Sequence, residues 1–200
     1  VSRGLGDVYK RQVWIFMDTE FTGLHKNTTL ISIGLISEDG RKFYAEFNDY
    51  DKSQIDGWIK ENVLPYLIVT KAEYYQKRNK EMFVPPYFTY GSKKFIAKKL
   101  QEWLESFGED IQLISDVCHY DMMLFCDIYG HAFNIPKCVN PVCHDINQDI
   151  AEHYNISEKE AFDMSREEIA DMKGEKVEKH NALYDAIVIK KIYDKIKRGA

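Results

Sequence analysis

Val13-Trp14-Ile15-Phe16-Met17-Asp18-Thr19-Glu20 runs five apolar residues straight into two carboxylates separated by a single threonine. An unbroken apolar run of this kind predicts a strand buried on both faces near the centre of a sheet. Side chains alternate along a strand, so Asp18 and Glu20 leave it on the same face. The pattern continues outward from there. Residues 29–37 read as a second strand, Glu38-Asp39-Gly40-Arg41 as a turn with an Asp-Gly hairpin signal, and residues 42–47 as a third strand. The expectation is an antiparallel three-strand meander whose first strand ends in an acidic tip.

Downstream the periodicity turns helical. Residues 56–67, with Trp58 and Val63, predict a short helix stopped near Pro65. Residues 68–91 are rich in Lys and Tyr, carry Pro85-Pro86, and read as a surface excursion rather than a domain boundary. Ser92 offers an N-cap to a helix in which Phe95, Ile96, Leu100, Trp103, Leu104 and Phe107 recur at three- and four-residue steps, with Gly108 past its end. Residues 111–115 predict a strand, 117–129 a helix before Gly130, and 181–197 a last helix with Ala182, Ala186, Ile189, Tyr193 and Ile196 along one side. Ser157 with Glu160, and Ser165 with Glu168, have capping-box spacing. Strands first, then helices alternating with strands, imply an α/β fold: a mixed sheet flanked by helices.

Residues 1–12 stand apart. From Ser2 to Gln12 the chain reads as the translation of a transposase-type sequencing adaptor, so this lead is expected to be non-native and residues 13–200 to form one domain. The chain carries 27 basic and 32 acidic residues, a formal charge of −5, and omitting Arg3, Lys10, Arg11 and Asp7 leaves the rest more acidic still. That balance argues against broad coating of DNA, which needs a basic surface, and suits an acidic centre offset by cations. There is no apolar run long enough to span a bilayer and no secretory-type leader, so no membrane role is expected. Cys118, Cys126, Cys138 and Cys143 then read as reduced thiols, with the cytoplasm as the expected compartment.

Chemistry concentrates in three places: Asp18-Thr19-Glu20, Asp121, and His180-Asn181-Ala182-Leu183-Tyr184-Asp185-Ala186. Together they supply four carboxylates and a histidine. Hard divalent cations such as Mg²⁺ or Mn²⁺ prefer carboxylate oxygen, and clustered carboxylates are unfavourable without them. Two ions about 4 Å apart suit phosphodiester cleavage, and a neutral histidine can take a proton from the attacking water near pH 7.

These motifs, in this order, resemble those of the DEDDh branch of 3′–5′ exonucleases, which have a ribonuclease H-like fold. The resemblance spans most of residues 13–197. It is most specific at His180–Asp185–Ala186, and Ile31-Ser32-Ile33-Gly34, the turn at residues 38–45 and the segment at 58–65 look most like the small mycobacterial-type 3′–5′ exoribonucleases. It implies that Asp18, Glu20 and Asp185 hold the metal that binds the attacking water, that Asp18 and Asp121 serve a second metal, and that His180 is the general base. Phe21, Thr22, Gly23 and Leu24 would line the pocket for the 3′-terminal nucleotide, with Phe21 or Leu24 stacking on the last base. At the second motif Asp116 stays an alternative to Asp121. RNA is favoured over DNA, and a homodimer is implied; both rest on the resemblance alone. A 3′–5′ exodeoxyribonuclease, or a silent nucleic-acid-binding module on the same fold, is the rival reading.

Other chemistry-bearing residues have blander readings. Asp145 and Asp149 are expected as loop or cap residues, and His119 and His131 as structural histidines. Cys138, Cys143 and His144 have poor spacing for zinc. Lys93, Lys94, Lys98 and Lys99 form either a solvated helix face or a phosphate contact. The charged stretch at 157–179 is either a mobile arm that carries His180 into place or an ordinary helical excursion.

Overall fold

The computed structural model describes residues 12–70, 82–84, 88–172 and 179–199. Among the described residues seven strands form one sheet: β1 (Gln12–Phe21), β2 (Leu30–Ser37), β3 (Lys42–Phe47), β4 (Met82–Val84), β5 (Phe88–Gly91), β6 (Asp110–Ser115) and β7 (His144–Asp145). Their order is β4-β5-β3-β2-β1-β6-β7. The antiparallel meander forms as expected from β1 to β3, and β6 lies parallel to β1 on its other edge. Three short strands extend the sheet beyond the sequence expectation: β5 parallel to β3, β4 antiparallel to β5, and β7 parallel to β6.

The apolar run at 13–17 is explained by layers on both sides of β1. Val13, Ile15 and Met17 pack with Ile96, Leu100 and Trp103 of α2 (Lys93–Glu105) and with Phe125 of α3 (His119–Ile128); α1 is the short helix Gly57–Asn62. On the opposite face Phe16 packs with Ile146 and Ile150 of α4 (Ile146–Tyr154) and with Ile189, Ile192 and Tyr193 of α7 (Ala182–Arg198). Among the described residues between α4 and α7 lie two short helices, α5 (Glu158–Asp163) and α6 (Arg166–Ile169).

Several expectations shift by a few residues. The first strand runs through Phe21, so Asp18 and Glu20 sit inside it rather than at its tip, opposite Gly34 and Ser32 of β2. A register shift between Glu20 and Phe21 then ends the regular pairing. The helix expected over 56–67 divides into α1, capped by Asp56, and a separate 3₁₀ turn at Leu64–Tyr66. Pro65 has no N–H to continue a helix and its ring would crowd the preceding turn. Ser92 caps α2 as expected, and Ser157 and Glu160 form both halves of a capping box. Ser165 caps α6 through its hydroxyl to the Glu168 N–H. Asp145 caps α4.

Of the non-native lead expected at 1–12, Gln12 is already the first residue of β1, paired with Asp110, and residues 1–11 lie outside the described residues. Much of the excursion expected at 68–91 lies outside them too, as does part of the charged stretch, residues 173–178.

Candidate active site

Asp18 and Glu20 on β1 and Asp185 in the first turn of α7 bring their carboxylate oxygens within 4.8 Å of one another. Alternation along β1 supplies the first two. The third depends on how α7 meets the sheet. Asn181 caps the helix by accepting from the Tyr184 N–H (3.0 Å) and donates its own amide to the Tyr66 carbonyl (2.6 Å), tying the helix start to the turn after α1. Gly34, the register partner of Asp18, lets the helix lie directly on β2. A Cβ there would stand 2.3 Å from the Leu183 nitrogen and 2.4 Å from the Ala182 carbonyl, so this close approach admits only glycine.

His180 immediately precedes the cap. Its backbone N–H donates to Asp185 Oδ2 (2.9 Å), and its φ of 65° is left-handed, an uncommon conformation for a residue with a side chain. The imidazole and the Trp58 ring form a T-shaped pair, with ring centroids 4.8 Å apart and planes at 74°. Burial, assisted by the neighbouring Lys179 charge, holds its pKa below the usual imidazole value.

The carboxylates are strongly perturbed in the other direction. Burial and the charges of Asp121, Asp185, Glu20 and Asp116 push Asp18 well above its usual value. Burial, then Asp185 and Asp121, push Glu20 to about 9. Asp185 rises to about 7, again mainly through burial, with the His180 N–H and Lys179 opposing the shift. Three converging carboxylates that resist joint ionisation are a donor set suited to divalent cations, which restore the charged form by supplying the missing positive charge.

Asp121 is not one of the three converging groups. Buried in the first turn of α3, it accepts hydrogen bonds from the Thr19 and Ser115 hydroxyls, one at each oxygen. Thr19 alternates to the face of β1 opposite Asp18 and Glu20, so Asp121 meets the site from the far side of the strand. Burial raises its pKa to about 6, against the pull of the two hydroxyls. Its rival Asp116 has other partners: Arg166 Nε (2.6 Å) and Nη2 (3.0 Å), and the Asn147 amide (2.8 Å).

The residues after the first motif divide by role. Phe21 stacks on Tyr120, with centroids 5.3 Å apart and planes at 16°, and Leu24 is 78% exposed. Thr22 is buried, and its hydroxyl accepts from the Thr29 N–H (2.9 Å). Gly23 has φ 150° and sits against the His25 ring. Leu24 therefore offers surface and Phe21 is half-buried between Tyr120 and the core, whereas Thr22 and Gly23 shape the turn. Asp18 and Asp185 open onto a cleft of about 370 Å³ whose wall includes Phe162, Arg166 and Lys179.

Residues 13–197 match the sequence model of the 3′–5′ exoribonuclease Rv2179c-like domain. The chain belongs to that family. Two relatives carry the names 3′–5′ exoribonuclease MT2234.1, from Mycobacterium tuberculosis strain CDC 1551 / Oshkosh, and 3′–5′ exoribonuclease Rv2179c, from Mycobacterium tuberculosis strain ATCC 25618 / H37Rv. Each is 29% identical over 134 residues, covering 66% of this chain and 71% of the relative. Among solved structures, the nuclease domain of 3′hExo, a DEDDh family member bound to rAMP, superposes with a TM-score of 0.61 at 11% identity over 98% of this chain and 96% of that one. A 3′-exonuclease described in 3′-end recognition of histone mRNA stem-loop gives 0.62 at 11% identity over 97% and 84%. The fold of this Rv2179c-like chain is thus the ribonuclease H-like fold of the DEDDh nucleases.

Sequence reasoning passed over Gly34, Trp58, Tyr120 and Arg166 as members of this Rv2179c-like site. A lone glycine inside a strand is a signal of close backbone approach, and Gly34 could have been found by it. Trp58, Tyr120 and Arg166 carry no local signal, because their partners His180, Phe21 and Asp116 are distant in the chain.

Proposed function

We propose that this protein is a metal-dependent 3′–5′ exonuclease that hydrolyses RNA from its 3′ end and releases nucleoside 5′-monophosphates. The observation that carries the reading is the meeting of Asp18, Glu20 and Asp185 within 4.8 Å, with the His180 backbone N–H on Asp185, in a chain of an exoribonuclease family. Asp18, Glu20 and Asp185 would hold a divalent cation, Mg²⁺ or Mn²⁺, and Asp18 with Asp121 nearby would serve a second. Cations bound there would acidify the attacking water and offset charge on the phosphate and the leaving oxygen.

The chain's own groups supply the rest. His180, with its pKa held low, is a neutral proton acceptor at pH 7 and takes the water proton as the water oxygen bonds to phosphorus and the P–O3′ bond breaks. Trp58 packs against its ring and limits its orientations. Phe21 and Leu24 present apolar surface for the 3′-terminal base, a contact that tolerates any base. The two mycobacterial relatives, both 3′–5′ exoribonucleases by name, favour RNA over DNA. Four cysteines outside any disulfide suit a reducing compartment, and no helix among the described residues is long and apolar enough to cross a membrane; we place the activity in the cytoplasm. Light scattering would check the homodimer that the family resemblance implies.

The test is turnover of 5′-labelled single-stranded RNA and matched DNA with Mg²⁺ or Mn²⁺. We expect stepwise 3′ shortening, faster on RNA, lost on chelation and reduced at least about 100-fold by Asp18→Ala or His180→Ala. Undiminished cleavage by both variants would sink the site, and faster turnover of DNA would replace the substrate.

A further inference from the structure

Arg166, the first residue of α6, has all five guanidinium N–H donors engaged within the protein. Nε donates to Asp116 Oδ2 (2.6 Å), and Nη2 donates to Asp116 Oδ1 (3.0 Å) and Asn147 Oδ1 (2.6 Å). Nη1 donates to the carbonyls of Ala161 (2.8 Å) and Met164 (3.0 Å). The forked pairing to Asp116 fixes direction as well as distance. Asp116 directly follows β6, and Asn147 lies in the first turn of α4, so α6 is registered against the wall of the catalytic cleft.

The next residue reaches the other way. Glu167, whose side chain is 16% exposed, pairs with Lys179 Nζ at 2.9 Å, and Lys179 immediately precedes His180. Ile169 and Met172 from the same stretch are buried in the cluster that contains Ile189 and Ile192 of α7. One short element thus touches the cleft wall, the core beneath α7, and the residue beside His180. A partly exposed ion pair such as Glu167–Lys179 contributes little stability, so its value lies in orientation.

We propose that α6 is the positioning arm of His180: Arg166 registers α6 on Asp116 and Asn147, and Glu167 holds Lys179, and with it His180, at the entrance of α7 beside the carboxylate cluster. This rests on His180 being the general base. Arg166 is a positioning residue, since each of its donors already has a partner and none is left for a phosphate.

Arg166→Met alone would strip Asp116 of its cation and leave its charge, held by the Asn147 amide, beside Asp18 and Asp185. The informative variant is therefore Asp116→Asn/Arg166→Met, which removes one charge of each sign. Its kcat and KM on single-stranded RNA, and its Mn²⁺ affinity by calorimetry, are measured with His180 intact and in the His180→Ala background. We expect kcat to fall on the order of 100-fold with His180 present, as for a misplaced reacting group, while KM and Mn²⁺ affinity stay within about 2-fold. In the His180→Ala background the same pair should cost less than about 2-fold, because the group it positions is gone. Glu167→Gln, which leaves the Arg166 anchor in place, should show a smaller loss of kcat that also vanishes in that background. An undiminished loss without His180 would overturn the proposal, and so would a raised KM with kcat preserved, which would make Arg166 a substrate contact. Wild-type kcat in His180→Ala alone would overturn the general-base reading and the proposal together, and the single variant distinguishes that failure from the others.

Discussion

At Glu20, burial and two neighbouring carboxylates act in the same direction, and the consequence can be measured. Its pKa is near 9 in the folded protein against an ordinary 4.5, so the native state keeps a proton that the unfolded chain releases. The stability linked to this group is full below the unfolded value and is lost as pH rises toward 9. Glu20→Gln should therefore stabilise the metal-free protein more at pH 8.5 than at pH 5, seen as a widening gap in thermal midpoint in the presence of chelator. Added Mn²⁺ should raise the midpoint of the wild type and leave the variant nearly unmoved. A gap that does not vary with pH would contradict the assigned shift. At this scale the members of the candidate site were legible in the sequence, because Asp18, Glu20, His180 and Asp185 carry their chemistry in their residue types, and the structure brings the three carboxylates together. Asp116 was not. Its standing depends on Arg166 and Asn147, 50 and 31 residues away, which no local pattern connects to it.

Between elements, the contact of β2 with α7 decides whether the third carboxylate arrives. A methyl group at Gly34 has nowhere to go, because the atoms it would strike are helix backbone. Gly34→Ala should push α7 off the sheet and cost about 1–3 kcal/mol of stability by denaturant melt. Its effect on Mn²⁺ affinity and turnover should exceed that of an equally destabilising core substitution such as Leu124→Ala, which lies in the cluster on the opposite face. Equal losses at matched stability would assign Gly34 a packing role only. The long, strongly periodic elements β1, β2, β3, α2 and α7 were legible within a residue or a few. The short ones were not: β7 is two residues long and β5 is four, too few for alternation to stand out, and both exist because a neighbouring strand edge offers them partners.

For the whole molecule, the sheet order places β1 at the junction of the antiparallel meander and the parallel strands, with helices on both faces. Its first residue in the structure is Gln12, one position before the family match begins. Removal of residues 1–11 should therefore leave the thermal midpoint and RNA turnover unchanged within error. A loss of either would show that the adaptor-like lead contributes to the fold. The sequence by itself determined the meander, the two-sided burial of β1, and the acidic and histidine groups available for metal and proton transfer. All of these follow from periodicity and residue chemistry within short windows. The tertiary structure decided which carboxylates converge, that Asp121 approaches from the other face of β1, and that α6 links the cleft wall to Lys179 beside His180. These depend on contacts between residues distant in the chain, whose geometry is set by the packing of helices on a twisted sheet rather than by any local pattern.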